Sequence, residues 1–170
     1  MRRIFLTIFV SILSAITVCA QEADSLHLKS SSISVDSLVL KLNTLQHNYD
    51  FLYCDYELHK AISDIAELSS SINIASNSLM IYYYNSRFDR DLYASYLGLY
   101  NAKVETFNSL KESVGVTTVA VLSRMLTSNF TEKEMAVIEK RFEFINSLLS
   151  TAEKTINHFE VVLDTYRAAK

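Results

Sequence analysis

Residues 130–166, FTEKEMAVIEKRFEFINSLLSTAEKTINHFEVVLDTY, write out one helix with its start signal and its buried stripe in the same register. Thr131 stands at the N-cap and Glu134 three residues on, so hydroxyl and carboxylate can each satisfy a backbone N–H that the first helical turn leaves without a partner. Phe130 and Met135 enclose that pair as a hydrophobic staple. The stripe then runs Met135, Ile138, Phe142, Ile145, Leu149, Ala152, Ile156, Phe159, Leu163 and Tyr166 in alternating steps of three and four. Val137, Phe144, Leu148 and Val162 flank it. The face is therefore wider than a two-stranded zipper seam and needs more than one partner helix.

The rest of the chain supplies those partners. Its 170 residues include no proline and two glycines, Gly98 and Gly115, so almost nothing interrupts a helix or provides a turn at positive φ. A second helix carries Tyr93, Leu97, Tyr100, Val104, Phe107, Val114, Thr118, Val121 and Met125, with Asp89 as N-cap and Lys111 as the exception in the stripe. The link Thr127-Ser128-Asn129 is short enough to force the second and last helices into an antiparallel hairpin.

In the first helical segment, from about Ser34 to Ser86, the apolar seam changes face. Leu38, Leu42, Leu45, Tyr49, Leu52 and Tyr56 form a clean series that continues into mostly polar positions. From Leu58 onward the apolar residues are Leu58, Ile62, Ile65, Leu68, Ile72, Ala75, Leu79 and Tyr82. Either the helix breaks, most readily in the Ser/Asn-rich stretch that follows Ser69, or it is continuous and its two halves face different partners. At about 1.5 Å per residue an unbroken helix here spans almost 80 Å, against about 55 Å for the other two, so it must overhang. The expected fold is all-α: an elongated antiparallel bundle of three long helices, or four if the first breaks near 66–77, forming one domain over residues 34–170.

Residues 1–20 read as a signal peptide. Arg2 and Arg3 precede an uncharged apolar run, and Val18-Cys19-Ala20 resembles a cleavage site. Residues 21–33 are polar and Ser-rich, the composition of a flexible leader. Export to a periplasmic or extracellular space is the expectation. Acylation of Cys19, which would tether the protein to a membrane, is weakened by Val18, where bacterial lipoprotein signals resemble one another in carrying a small residue.

Cleavage after Ala20 would remove Arg2 and Arg3, lowering Lys+Arg from 16 to 14 against 19 acids, so the formal charge goes from −3 to −5. An acidic chain without a basic face argues against nucleic acid as a partner. Cys54 would then be the one cysteine left, which allows an intermolecular disulfide but no internal one.

Motifs for chemistry are missing. There is no HExxH, CxxC, Glu-x-x-His or G-x-S-x-G, and two glycines cannot build a phosphate-binding loop. His47, Asp50 and Cys54 share a side of the first helix, a pattern that suits a buried cysteine with polar margins better than a metal site. No catalytic, cofactor or metal residues are assigned.

The positive lead is aromatic. Tyr82, Tyr83, Tyr84, Phe88, Tyr93, Tyr96 and Tyr100 straddle the connection near residue 88, and the hairpin brings Tyr166 toward them. Such an end suits a recognition surface for a protein or glycan, and equally a bundle end closed by tyrosines with their hydroxyls in water. The expectation is an exported, non-enzymatic protein that binds another protein or a cell-surface structure, with a homo-oligomer through Leu38, Leu42, Leu45, Tyr49 and Leu52 as its possible assembly. Two alternatives stand beside it. One is a membrane-active bundle using the uncharged stretch SVGVTTVAVLS at 113–123; the other is a small-ligand carrier.

Overall fold

The structure, a computed structural model, describes residues 35–85 and 88–169. The expected signal peptide and the leader at 21–33 lie outside these residues, and so does Cys19. By its internal contacts the chain divides into two units, residues 1–39 and 40–170. Of the first, 35–39 is described: it is helical, with Val35 75% and Leu38 51% exposed.

Three helices make up the described chain: α1 (Val35–Asn85), α2 (Arg90–Thr127) and α3 (Glu132–Ala168). α3 starts as its sequence directs. The Thr131 hydroxyl accepts from the Glu134 backbone N–H at 3.3 Å, and the Glu134 carboxylate accepts from the Thr131 N–H at 2.8 Å. α2 starts at Asp89, whose carboxylate accepts from the N–H groups of Asp91 and Leu92 at 2.8 and 3.1 Å. The turn between α2 and α3 needs no glycine, because Ser128 and Thr131 take extended backbone conformations. That is why a chain so poor in glycine can still reverse direction.

α1 is continuous over 51 residues, so the bundle has three helices and the break near 66–77 does not occur. Two serines in and beside that stretch turn back on their own helix: the Ser71 hydroxyl donates to the Leu68 carbonyl and that of Ser78 to the Ile74 carbonyl, both at 2.8 Å, while the buried hydroxyls of Ser69 and Ser76 make no hydrogen bond. For Ser71 and Ser78 the competition with the backbone is thereby satisfied within the helix.

The core lies where the second apolar series of α1 meets the stripes of α2 and α3. Leu58, Ile65, Ile72 and Leu79 from α1, Val121 from α2, and Ile138, Ala152 and Phe159 from α3 are fully buried. Burying a side chain of this size contributes about 2 kcal/mol, so this seam supplies the main attachment of α1 to the hairpin. Lys111 of α2 stays exposed and lays its ammonium 5.6 Å from the Phe107 ring, so the exception in the stripe lies at the core's margin.

α2 and α3 approach each other most closely. Polar pairs fix α1 against both. Asp50 meets Arg124 and Tyr82 meets Tyr96, so α1 runs antiparallel to α2; His47 meets Glu134 and Asp55 meets Arg141, so it runs parallel to α3.

Candidate functional site

At one end of the bundle the aromatic residues form a layered cluster. Tyr166, the last member of the α3 stripe, is 1% exposed, and its hydroxyl accepts from the Asp89 backbone N–H at 3.0 Å. Phe88 packs 5.4 Å from the Tyr166 ring and 6.0 Å from that of Tyr93. Tyr96 and Tyr100 stand edge-on to Phe159 at 6.5 and 5.7 Å, the arrangement that suits opposed ring quadrupoles. Burial raises the pKa of both phenols, and the neighbouring Tyr82 at Tyr96 and Glu160 at Tyr100 push the same way.

Above this layer sit the three consecutive tyrosines, which the helical rotation of about 100° per residue sends in three directions. Tyr82 is 45% exposed and leans on Tyr96 at 6.4 Å; Tyr84 is 73% exposed and meets half-buried Tyr83 at 5.2 Å. The eight residues expected as a recognition surface thus gather at one end but differ in depth. Tyr82 and Tyr84 face solvent, and Tyr83, Phe88, Tyr93, Tyr96 and Tyr100 are half-buried. Tyr166 is corrected from surface to core, because its place in the α3 stripe turns it inward and its hydroxyl is used to hold the start of α2.

A polar lock holds α1 to the hairpin at the other end. The Asp50 carboxylate, in a residue 8% exposed, accepts from Arg124, from the Ser128 hydroxyl at 2.8 Å and from the Gln46 amide at 3.1 Å. The Arg124 guanidinium also lies over the Tyr53 ring at 4.0 Å. Burial alone would raise the Asp50 pKa, but the hydrogen bonds from Ser128 and Gln46 and the charge of Arg124 outweigh it and hold the carboxyl below its ordinary range. Beside it His47 contacts Glu134 at 3.1 Å and sets its ring edge-on to Phe130, while Arg141 donates to Asp55 at 2.9 Å. These pairs link positions 74 to 87 residues apart, and nothing in the spacing of either helix announces them.

Cys54 is 0% exposed, and burial raises its thiol pKa against a weaker opposing pull from Arg124. The structure bears against the candidate intermolecular disulfide that the sequence allows: a neutral thiol enclosed by the core cannot meet one from another chain while α1 stays docked. His47, Asp50 and Cys54 do not converge, since the first two turn to Glu134 and Arg124 and the third to the core. Among the described residues no group of three or more His, Cys, Asp or Glu is placed to hold a metal ion.

An open groove of about 390 Å³ between α1 and α2 is lined by Ser71, Ile74, Ser78, Tyr96, Leu99 and Lys103, among others. The exposed series of α1, Leu42 (61%), Leu45 (66%), Tyr49 (48%), Leu52 (64%) and Tyr56 (64%), lies on a different face of that helix from Leu58 and Ile65. No helix of the described residues is long and apolar enough to cross a membrane. No protein-family model matches the chain, and neither does a curated protein or a solved structure.

Proposed function

We propose that this is an exported protein that acts without catalysis, by binding a protein or cell-surface partner at its tyrosine-rich end. The observation that carries the reading is the pairing of exposed tyrosines with a rigid base. Tyr84 and Tyr82 project from a helix whose neighbouring aromatics are fixed by Phe159, Phe88 and the Tyr166 hydrogen bond. Side chains of this type contribute broad contact area and a hydroxyl while losing little conformational freedom, which favours their use at the centre of an interface. A support already ordered in the free protein lowers the cost of association further.

The test is capture from a cell-envelope extract with the purified protein as bait. Tyr82→Ala combined with Tyr84→Ala is expected to abolish retention of a partner while the thermal midpoint stays within about 2 °C of the parent, since exposed substitutions move stability little. Equal retention by parent and variant removes the reading.

A second reading has its own observation. On α2, Val116, Val119 and Leu126 are 72%, 68% and 88% exposed, so part of the uncharged stretch and its continuation face solvent. This supports a membrane-active bundle that breaches a bilayer, for which leakage of anionic and zwitterionic vesicles is the measurement; intact vesicles in both compositions exclude it.

A further inference from the structure

We infer that the exposed series of α1 is the interface of an antiparallel homodimer, in which Leu42, Leu45, Tyr49 and Leu52 of one copy pack against the same four residues of a second, with Tyr56 at the margin. The inference is independent of what the tyrosine-rich end binds.

Three observations lead to a second copy of this chain. First, the series keeps a strict heptad spacing: Leu42, Tyr49 and Tyr56 occupy a positions and Leu45 and Leu52 occupy d positions. All five are 48–66% exposed on a helix that the bundle already holds. Isolated helices this short are marginal because nucleation is costly, but here docking of the rest of α1 supplies the folded helix before association.

Second, the area suffices. At about 100 Å² of exposed surface for each of the five, a pair of copies offers roughly 1,000 Å², and the flanking Gln46, Asn48 and Tyr53 bring it to the ~1,200 Å² at which specific interfaces begin.

Third, the flanking charges match themselves in one orientation. When two such helices run antiparallel with Leu42 opposite Leu52 of the other copy and Leu45 opposite Tyr49, the g positions face one another. Exposed Lys41 then lies beside Asp55 of the second copy, and Asn48 beside Asn48. Asp55 keeps part of its carboxylate available, being 32% exposed in its pair with Arg141. A parallel pair would instead stack Tyr49 on Tyr49 and Tyr56 on Tyr56 between layers of leucine, a seam of uneven width. The antiparallel pair sets Leu45 against Tyr49 and fills the space more evenly.

The symmetry axis falls near residues 47 and 48. From there to Tyr82 is about 50 Å along the helix, so the two tyrosine-rich ends stand at opposite poles, roughly 100 Å apart. Combined with the function proposed above, the dimer would bridge two partners instead of gripping one twice.

Size-exclusion chromatography with light scattering, run on the purified protein from about 1 to 100 µM, reads the assembly directly. The expected result is a dimer at the upper concentrations that dissociates on dilution. Leu45→Asp with Leu52→Asp, and Leu45→Ser with Leu52→Ser as a pair that adds no charge, should both weaken association at least tenfold with helicity unchanged. A parent that stays monomeric, or a dimer that survives both variants, overturns the proposal. Orientation is read by lysine cross-linking of a mixture of isotopically light and heavy chains. A mixed Lys41–Lys60 link is expected and a mixed Lys60–Lys60 link is not; the reverse pattern overturns the antiparallel arrangement. Because mass and cross-links are read without any partner, their outcome is separate from success or failure of capture at the tyrosine end.

Discussion

The hydroxyl of Tyr166 accepts a hydrogen bond from the backbone N–H of Asp89, so the end of α3 holds the residue that caps α2. One side chain thereby joins the last turn of the core stripe to the start of its antiparallel neighbour. Tyr166→Phe keeps the ring against Phe88 and removes only that acceptor. It is expected to cost about 1 kcal/mol, lowering the thermal midpoint by roughly 2–5 °C, because a part-buried N–H is left without its partner. A calorimetric midpoint equal to the parent's would show that water replaces the bond without loss.

Asp50 makes stability depend on pH. Its folded-state pKa lies below the ordinary value for an aspartate, so the native state favours the ionised carboxylate. The stabilisation is complete above the unfolded value and is lost as pH falls through the lower folded one. Asp50→Asn should cost about 2 kcal/mol at pH 7, the range for hydrogen bonds to a charged acceptor. The gap between parent and variant should narrow as pH drops below about 4. Urea titrations at pH 7, 5 and 3 check this; a gap that is constant with pH contradicts it. Glu134 shifts the same way, held down chiefly by the Thr131 N–H and hydroxyl, and adds to acid sensitivity at the same end of the bundle.

The two apolar series of α1 should respond oppositely to truncation. Ile65→Ala, at 0% exposure, is expected to cost about 2–5 kcal/mol through lost burial and the cavity left behind. Leu52→Ala, at 64% exposure, should change monomer stability by less than about 0.5 kcal/mol. Chemical denaturation at low protein concentration separates them. Comparable losses at both positions would mean that the first series is covered within one chain.

The Cys54 thiol should resist modification in the native state. Burial keeps it protonated and encloses it, so reaction with a thiol reagent at pH 8 should proceed only as fast as α1 opens. Under denaturing conditions the rate should rise by orders of magnitude. Fast native labelling would show that α1 leaves the hairpin readily.

Much of the fold was legible along the chain because helix signals are local. The N-caps at Asp89 and Thr131, the stripe of α3 and the turn at 128 all depend on residues within a few positions of one another, and each appears where its spacing places it. The candidate surface was legible only as a neighbourhood. Spacing brings Tyr82, Tyr93, Tyr96 and Tyr166 to one end of the bundle, but depth is set by what packs on top. Tyr166 went to the core and Tyr84 to solvent for reasons that no single helix contains.

By itself, then, the sequence determined the hairpin on either side of residue 128, the caps at Asp89 and Thr131 and the switch of apolar face near residue 57, since periodicity and capping are properties of consecutive residues. Only the tertiary structure decided that α1 runs unbroken through its serines, and that the series from Leu58 faces the hairpin while Leu42 to Tyr56 faces solvent. It also decided that Asp50 meets Arg124 and Ser128. Those outcomes depend on which surfaces three helices can cover at once, a competition for burial among residues far apart in the chain.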